Sequence, residues 1–372
     1  IGQAWQWKGD TAGAQKWFEQ ALTKISQSRT QITDLIRGRV YAGMGLLYMH
    51  KGDYVRAERW SLDAVAVLEQ TGQLSDLAKP LNTLGGAYYF QNQWAEASTY
   101  VERALNIRRQ IGDRLGVAGS LSNLGILYTV GCQWERAIDV FNQSIAMCKE
   151  IGALEVTLSN ALNNVAYLYI HQGKLDVAEQ HLQESLTIKQ TAGTTLDVPE
   201  TLNNLALSRL MQGRLKEADD FISQSIGLCQ QTNNNDSLSE AYWYRAKIKL
   251  AAGEIEAAHD VCRQAILLAN QVMSKINEGG ALRVLAKIQL QQQQYRQAKQ
   301  TAAISRRILT QINLDYEVAR TQLVLAEIAK LTGDEAEFRA AVEAAMPVFE
   351  RLGAAPALNT LKSLQNRPAE AG

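Results

Sequence analysis

The sequence predicts an all-α solenoid, a stack of helical hairpins with a forty-residue period and a short closing helix. Three observations carry this. A turn-forming anchor recurs at Gly9, Gly52, Asn92, Cys132, Gly173, Gly213, Gly253, Gln293 and Gly333, at intervals of 43, 40, 40, 41, 40, 40, 40 and 40 residues. Alanine stands five residues after each of the first eight anchors, from Ala14 and Ala57 to Ala298, and only the ninth departs, with Phe338. The residues between anchors keep the apolar spacing of a helix. A fixed period in this range means like units, each too small to bury its own apolar face alone.

Each unit reads as helix A, a turn at the anchor, and helix B. In the fifth repeat Leu158, Ala161, Leu162, Val165, Ala166 and Tyr169 follow the spacing of one helical face. After Gly173 the pattern restarts with Leu175, Ala178, Leu182, Ser185 and Leu186. Gly173 stands where the first helix stops, and glycine adopts the required turn at low steric cost. Two further columns are small. Seven residues before the anchor come Gly45, Gly85, Gly125, Ala166, Ala206, Ala246, Ala286 and Ala326; twelve after come Ala64, Ala104, Ser144, Ser185, Ser225, Ala265, Ser305 and Ala345. Small residues at fixed places let two helices approach closely. Alternating strand patterns are absent, and only five prolines interrupt the chain.

Composition excludes several function classes. Among the 372 residues, Lys plus Arg equals Asp plus Glu at 38 each, which gives no electrostatic case for nucleic acid or membrane binding. No apolar run approaches the roughly 18–20 residues that span a bilayer. The four cysteines, Cys132, Cys148, Cys229 and Cys262, have no metal-ligand spacing and fit a reducing, cytoplasmic setting. No phosphate-binding loop, nucleophile elbow or zinc-protease motif occurs, so no catalytic residue, metal site or cofactor is expected. His171 shares a repeat position with His50, near the end of helix A, and reads either as a helix-end residue or as a ligand contact.

The landmarks resemble the tetratricopeptide repeats. Their Leu-Gly-x-x-Tyr element appears as Leu84-Gly85 with Tyr88 and as Leu124-Gly125 with Tyr128, and their Ala-x-x-x-Phe element as Ala137 with Phe141. The forty-residue period is longer than the usual one and lacks its helix-ending proline. It is similar to the long-repeat branch found in kinesin light chains, spindle-orientation scaffolds and bacterial signalling proteins. The resemblance implies an α-α superhelix of about nine hairpins over residues 1–352. A capping helix from Ala355 to Gln365 and a disordered tail are expected within 353–372. Ile1, Gly2 and Trp5 already hold helix A places of the first repeat, so that repeat is expected to be truncated, with more chain upstream.

In the resembled family helix A lines the concave surface. Side chains nine, ten and thirteen residues before the anchor then face a groove. Nine before come Asn123, Asn164 and Asn204; ten before come Asn82, Asn163 and Asn203; thirteen before comes Asn160, with Arg320 in the last repeat. Asparagine is a mediocre helix former, so a column of it asks for a reason. Its amide offers a donor and an acceptor, as a peptide bond does. The column therefore reads as a ladder for an extended peptide, as bonds between neighbouring A helices, or as a solvated face. Tyr167 lies beside it, and Tyr244, Lys247, Arg283 and Lys287 follow towards the C-terminal end as a seat for an acidic side chain or a terminal carboxylate.

The expected function is a non-enzymatic domain that binds a protein or peptide partner, as sensor or scaffold of a larger bacterial regulatory protein. The segment Phe349 to Ala354 resembles the tails of regulators that join a nucleotide-dependent switch domain to a repeat sensor. A self-association scaffold and a small-molecule effector sensor are the alternatives. An upstream domain of the same polypeptide is a further expected partner.

Overall fold

The computed structural model describes residues 11–25, 31–153, 156–193 and 196–366. The first anchor, Gly9, the first-repeat marks Ile1, Gly2 and Trp5, and the tail 367–372 lie outside the described residues. Eighteen α-helices and no strand occur among the described residues. Helix α1 (Thr11–Ile25) is followed by α2 (Gln31–His50), α3 (Tyr54–Thr71), α4 (Leu74–Phe90), α5 (Trp94–Gln110), α6 (Arg114–Val130), α7 (Trp134–Glu150), α8 (Val156–His171) and α9 (Leu175–Thr191). Then come α10 (Val198–Met211), α11 (Leu215–Thr232), α12 (Asn235–Ala251), α13 (Ile255–Gln271), α14 (Lys275–Gln291), α15 (Tyr295–Gln311), α16 (Asp315–Thr332), α17 (Glu335–Leu352) and α18 (Ala355–Asn366). From α2 on, even-numbered helices to α16 are the A helices, odd-numbered ones are the B helices, and α18 is the closing helix.

Every anchor from Gly52 to Gly333 takes a left-handed backbone, with φ between 53° at Cys132 and 80° at Gly173. This conformation ends helix A and turns the chain into helix B. A second left-handed column ends each B helix, at Gly72, Gly112, Gly152, Gly193, Asn233, Met273, Asn313 and Gly353. Asp53, Asn234 and Asp334 cap the starts of α3, α12 and α17 by accepting the backbone N–H three residues on.

The alanines after the anchors mark the closest approach of A to B. Ala57, Ala97, Ala137, Ala178, Ala218, Ala258 and Ala298 have no exposed surface. The serines twelve residues after the anchor add a bond to their smallness. Ser144, Ser185, Ser225 and Ser305 each donate Oγ–H to the backbone carbonyl 26 residues earlier, on the preceding A helix, at 2.7–3.2 Å. The position sixteen after the anchor is also inside. It holds an apolar residue at Leu68, Ala269, Leu309 and Phe349, a thiol at Cys148 and Cys229, and in two repeats a cation that reaches into the next hairpin. Arg108 donates to Gly116 O and Ser120 Oγ, and Lys189 to Asp197 O and Thr201 Oγ1, with identical sequence offsets.

The chain forms two compact units, Ile1–Tyr128 with Gln143–Ala153, and Thr129–Asn142 with Leu154–Gly372. In the first, the pairs α2–α3 and α4–α5 enclose Phe18, Met44, Leu47, Leu68, Leu81 and Leu84. In the second, A helices α8, α10, α12, α14 and α16 touch in succession and form one inner wall. This second unit curls until its last elements meet its first. Helix α18 packs on α8 and α16, and Gln172 donates Nε2–H to Leu352 O at 3.2 Å. Tyr316 Oη lies 3.0 Å from His171 Nδ1, and the Tyr316 ring meets Trp134 edge to face at 4.6 Å.

Met273 is the member of the second left-handed column that is neither Gly nor Asn, and its side chain is exposed, at φ 57°. A Cβ there costs about 1–2 kcal/mol, against about 0.5–1 kcal/mol for glycine's extra freedom in the unfolded chain. Met273→Gly is therefore expected to raise stability by about 0.5–1 kcal/mol, read as a higher urea midpoint with unchanged slope.

Candidate functional site

Helix A residues nine and ten before the anchor form paired bonds across neighbouring repeats. Asn204 donates Nδ2–H to Asn163 Oδ1 at 3.1 Å in the second unit, and Asn123 donates to Asn82 Oδ1 at 2.8 Å in the first. Both pairs are 41 residues apart, so in these two places a ninth-place amide meets the tenth-place amide of the repeat before it. Asn203, fully buried, accepts from Ser225 Oγ at 2.7 Å and donates to Glu240 Oε2 at 3.0 Å. Asn163 donates to Asn164 Oδ1 at 3.5 Å, a loose contact. Asn160 stands one turn before this group with its Oδ1 buried and unbonded. Two amide pairs of the column thus bond to each other across neighbouring A helices, Asn203 bonds Ser225 and Glu240 instead, and Asn160 Oδ1 has no partner.

The aromatic and basic candidates converge on the inner wall of the second unit. Tyr167 packs edge to face on His171 at 4.5 Å, beside the Tyr316 contact. Trp243 and Tyr244 stack at 4.9 Å, and the Lys247 ammonium lies 5.7 Å from the first ring centroid and 4.9 Å from the second. Gly280 makes room for Trp243, because a Cβ there would fall 2.4 Å from Trp243 Cζ2. Arg283, 4% exposed, donates to Glu317 O at 3.0 Å and Glu317 Oε2 at 2.5 Å, and lies 3.3 Å from Thr321 Oγ1. Arg320 takes the other oxygen, Glu317 Oε1, at 3.0 Å. Lys287 reaches Glu327 at 3.4 Å. Glu317, Arg320 and Glu327 complete this network; of them the sequence pattern marked only Arg320, because the acidic members occupy no recurring place.

A cavity of about 430 Å³ opens in this part of the wall, lined by Trp243, Lys247, Arg283, Lys287, Arg320 and Glu327 among others, with Leu210 of α10 and Ala357 of α18 also in its lining. The first unit has its own cavity of about 450 Å³, where Asn82 and Asn123 meet Leu46, Met49, Tyr89 and Phe90.

Electrostatics follow from this geometry. Burial would raise the Glu317 carboxyl, but Arg320 and Arg283 outweigh it and hold it below the usual carboxylate range. Burial, then the nearby Arg320 charge, pushes His171 well below its ordinary value, so its ring is neutral. Burial pushes Glu240 up to about 7, against the Asn203 hydrogen bond. All four cysteines are buried and unpaired by disulfides, and burial pushes the Cys229 thiol up to about 11 and that of Cys262 up to about 12. Such thiols are poor nucleophiles at neutral pH. Among the described residues no cluster of three or more His, Cys, Asp or Glu is placed to hold a metal ion, and no helix is long and apolar enough to cross a membrane.

The family model of the MalT-like TPR region matches residues 38–355. No protein with a curated description matches the chain. Several solved structures share its fold. The apo form of the quorum sensor NprR from B. thuringiensis is 17% identical with a TM-score of 0.65, covering 83% of this chain and 85% of that one. A Rap protein complexed with Competence and Sporulation Factor is 13% identical with a TM-score of 0.61, covering 90% and 96%. Aspartyl phosphate phosphatase F from Bacillus subtilis is 14% identical with a TM-score of 0.63, covering 77% and 74%.

Two outcomes are expected of this network. Glu317→Gln leaves two guanidinium groups without their shared carboxylate and costs about 3–5 kcal/mol, measured by urea denaturation. The second concerns pH. The neutral His171 binds protons less readily folded than unfolded, where its pKa is about 6.5. Its stabilising contribution is complete above that value and is lost as pH falls below it, by about 1.4 kcal/mol per pH unit. Glu240 acts with the opposite sign between its ordinary 4.5 and about 7. Comparing wild type with His171→Phe at pH 8, 7, 6 and 5 cancels that contribution. The stability difference is expected to shift against the wild type below about pH 6.5, and a constant difference contradicts a neutral His171.

Proposed function

The chain belongs to the family of MalT-like TPR regions, and on that premise we propose that it is a non-enzymatic sensor or scaffold domain. It holds a peptide or extended protein segment against the inner wall of its second unit. The observation that carries this reading is the convergence of amide, aromatic and basic side chains from α8, α10, α12, α14 and α16 on that single wall. A bound backbone exchanges its own amides for the Asn204–Asn163 bond and for the unbonded Asn160 Oδ1, which keeps the cost of opening the ladder small. Tyr167, partly exposed, supplies apolar surface with a polar tip, a combination suited to interfaces, and Tyr244 backs the wall from within. The quorum-sensing NprR and the Rap protein that carries Competence and Sporulation Factor have this fold, and the analogy supports a sensor role. The cavity of about 430 Å³ favours a second reading, a small effector, because it falls within the volume range of small-ligand sites.

Wild type and an Asn160→Ala/Asn164→Ala/Asn204→Ala variant are compared for capture of peptides from a host-proteome library, at matched thermal stability. Peptides held by the wild type are expected to bind the variant at least tenfold more weakly. Equal capture by an equally stable variant contradicts the ladder as the site.

A further inference from the structure

We propose that the cavity bounded by α10, α12, α14, α16 and α18 is an anchor for a carboxylate borne on an apolar group, and that it holds the free C-terminus of a bound peptide. The proposal deepens the peptide-binding reading and rests on it for the source of the carboxylate. It begins with an imbalance of charge. Lys247, Arg283, Lys287 and Arg320 line the cavity, and two carboxylates answer them. Glu317 is fully engaged, one oxygen on Arg283 and the other on Arg320. Glu327 meets Lys287 at 3.4 Å, a weak pairing with Lys287 itself 39% exposed. Lys247 has no carboxylate within ion-pair distance among the described residues; its ammonium rests on the faces of Trp243 and Tyr244.

Four cations gathered around two carboxylates repel one another unless an anion joins them. Burial first, and the Arg320 and Arg283 charges after it, press the Lys247 ammonium well below its ordinary range, and a carboxylate beside it would oppose both. The two arginines are held in fixed forks by Glu317. The cations left to meet a ligand are therefore the two lysines, compact charges on flexible stems that lie on neighbouring A helices at the same repeat position.

Apart from Gln291, the rest of the cavity wall is apolar. Leu210, Leu250, Val284, Leu290, Leu323 and Val324 surround the charged group. A ligand that satisfies both parts carries its negative charge within a residue's length of an apolar side chain. A peptide ending in an apolar residue does so, since its terminal carboxylate and last side chain share one Cα. A small aliphatic acid has the same chemistry, and the experiment separates the two.

Calorimetric titration of the full chain uses three probes: N-acetyl-Ala-Ala-Leu as free acid, the same tripeptide as its C-terminal amide, and hexanoate. The acid is expected to bind at least tenfold more tightly than the amide. Lys247→Met and, independently, Lys287→Met are expected to reduce that preference to less than threefold. Both lysines are partly exposed, so folding of each variant is checked by its thermal midpoint. Equal binding of acid and amide overturns the anchor and leaves the peptide-binding wall standing. Binding of hexanoate with neither tripeptide supports the anchor and overturns its peptide occupant. Binding of none of the three overturns the anchor and counts against the peptide reading as well.

Discussion

The close approach of helix A to helix B at the alanine column is the constraint on which everything else rests. A forty-residue hairpin has too little interior to be stable alone, so each must bury one face on its partner helix and another on the next hairpin. Seven successive alanines without exposed surface show how little room that leaves. In four repeats a serine bond to the carbonyl 26 residues earlier then fixes the height of the B helix against its A helix. Because the same distances recur, the A helices come to lie side by side. Their positions nine and ten before the anchor become neighbours across repeats.

In the second unit that repetition ends in closure, and closure makes the wall specific. His171 meets Tyr316 across 145 residues of sequence, and α18 contributes Ala357 to the cavity lining. A charged network inside such a space is a weak source of stability, because desolvation offsets most of the attraction between Glu317 and its two arginines. Its better-attested role is to fix geometry. With Glu317 holding both guanidinium groups, the lysines on α12 and α14 are left facing the open part of the cavity. The same residues that are costly to bury are thus the ones that select an anionic group.

Much of the fold was legible in the sequence, because it is periodic. The anchors and alanines announce the hairpin, and the left-handed backbone at Gly173, Gly213 and Gly253 follows from the need to end helix A. The matching column that ends the B helices was harder to see, since Asn233, Met273 and Asn313 replace glycine there. Smallness at Ser185 and Ser225 was readable, while their bonds to Ser159 O and Pro199 O depend on three-dimensional offset and were not. The site was legible only as columns. Asn163, Asn204, Lys247, Arg283 and Lys287 stood out by repeat position. That Asn204 pairs with Asn163 depends on a one-residue shift between neighbouring helices, and that Glu317 ties Arg283 to Arg320 has no periodic signal at all.

The measurement that tests the central claim most directly is hydrogen–deuterium exchange of the chain with and without a captured peptide. Ligand on the inner wall tightens the A helices that touch it and leaves the B helices on the far side unchanged. Slower exchange confined to α8, α10, α12, α14 and α16 is the predicted result. Protection centred on the B helices α9, α11, α13 and α15, with the A helices unaffected, would contradict it.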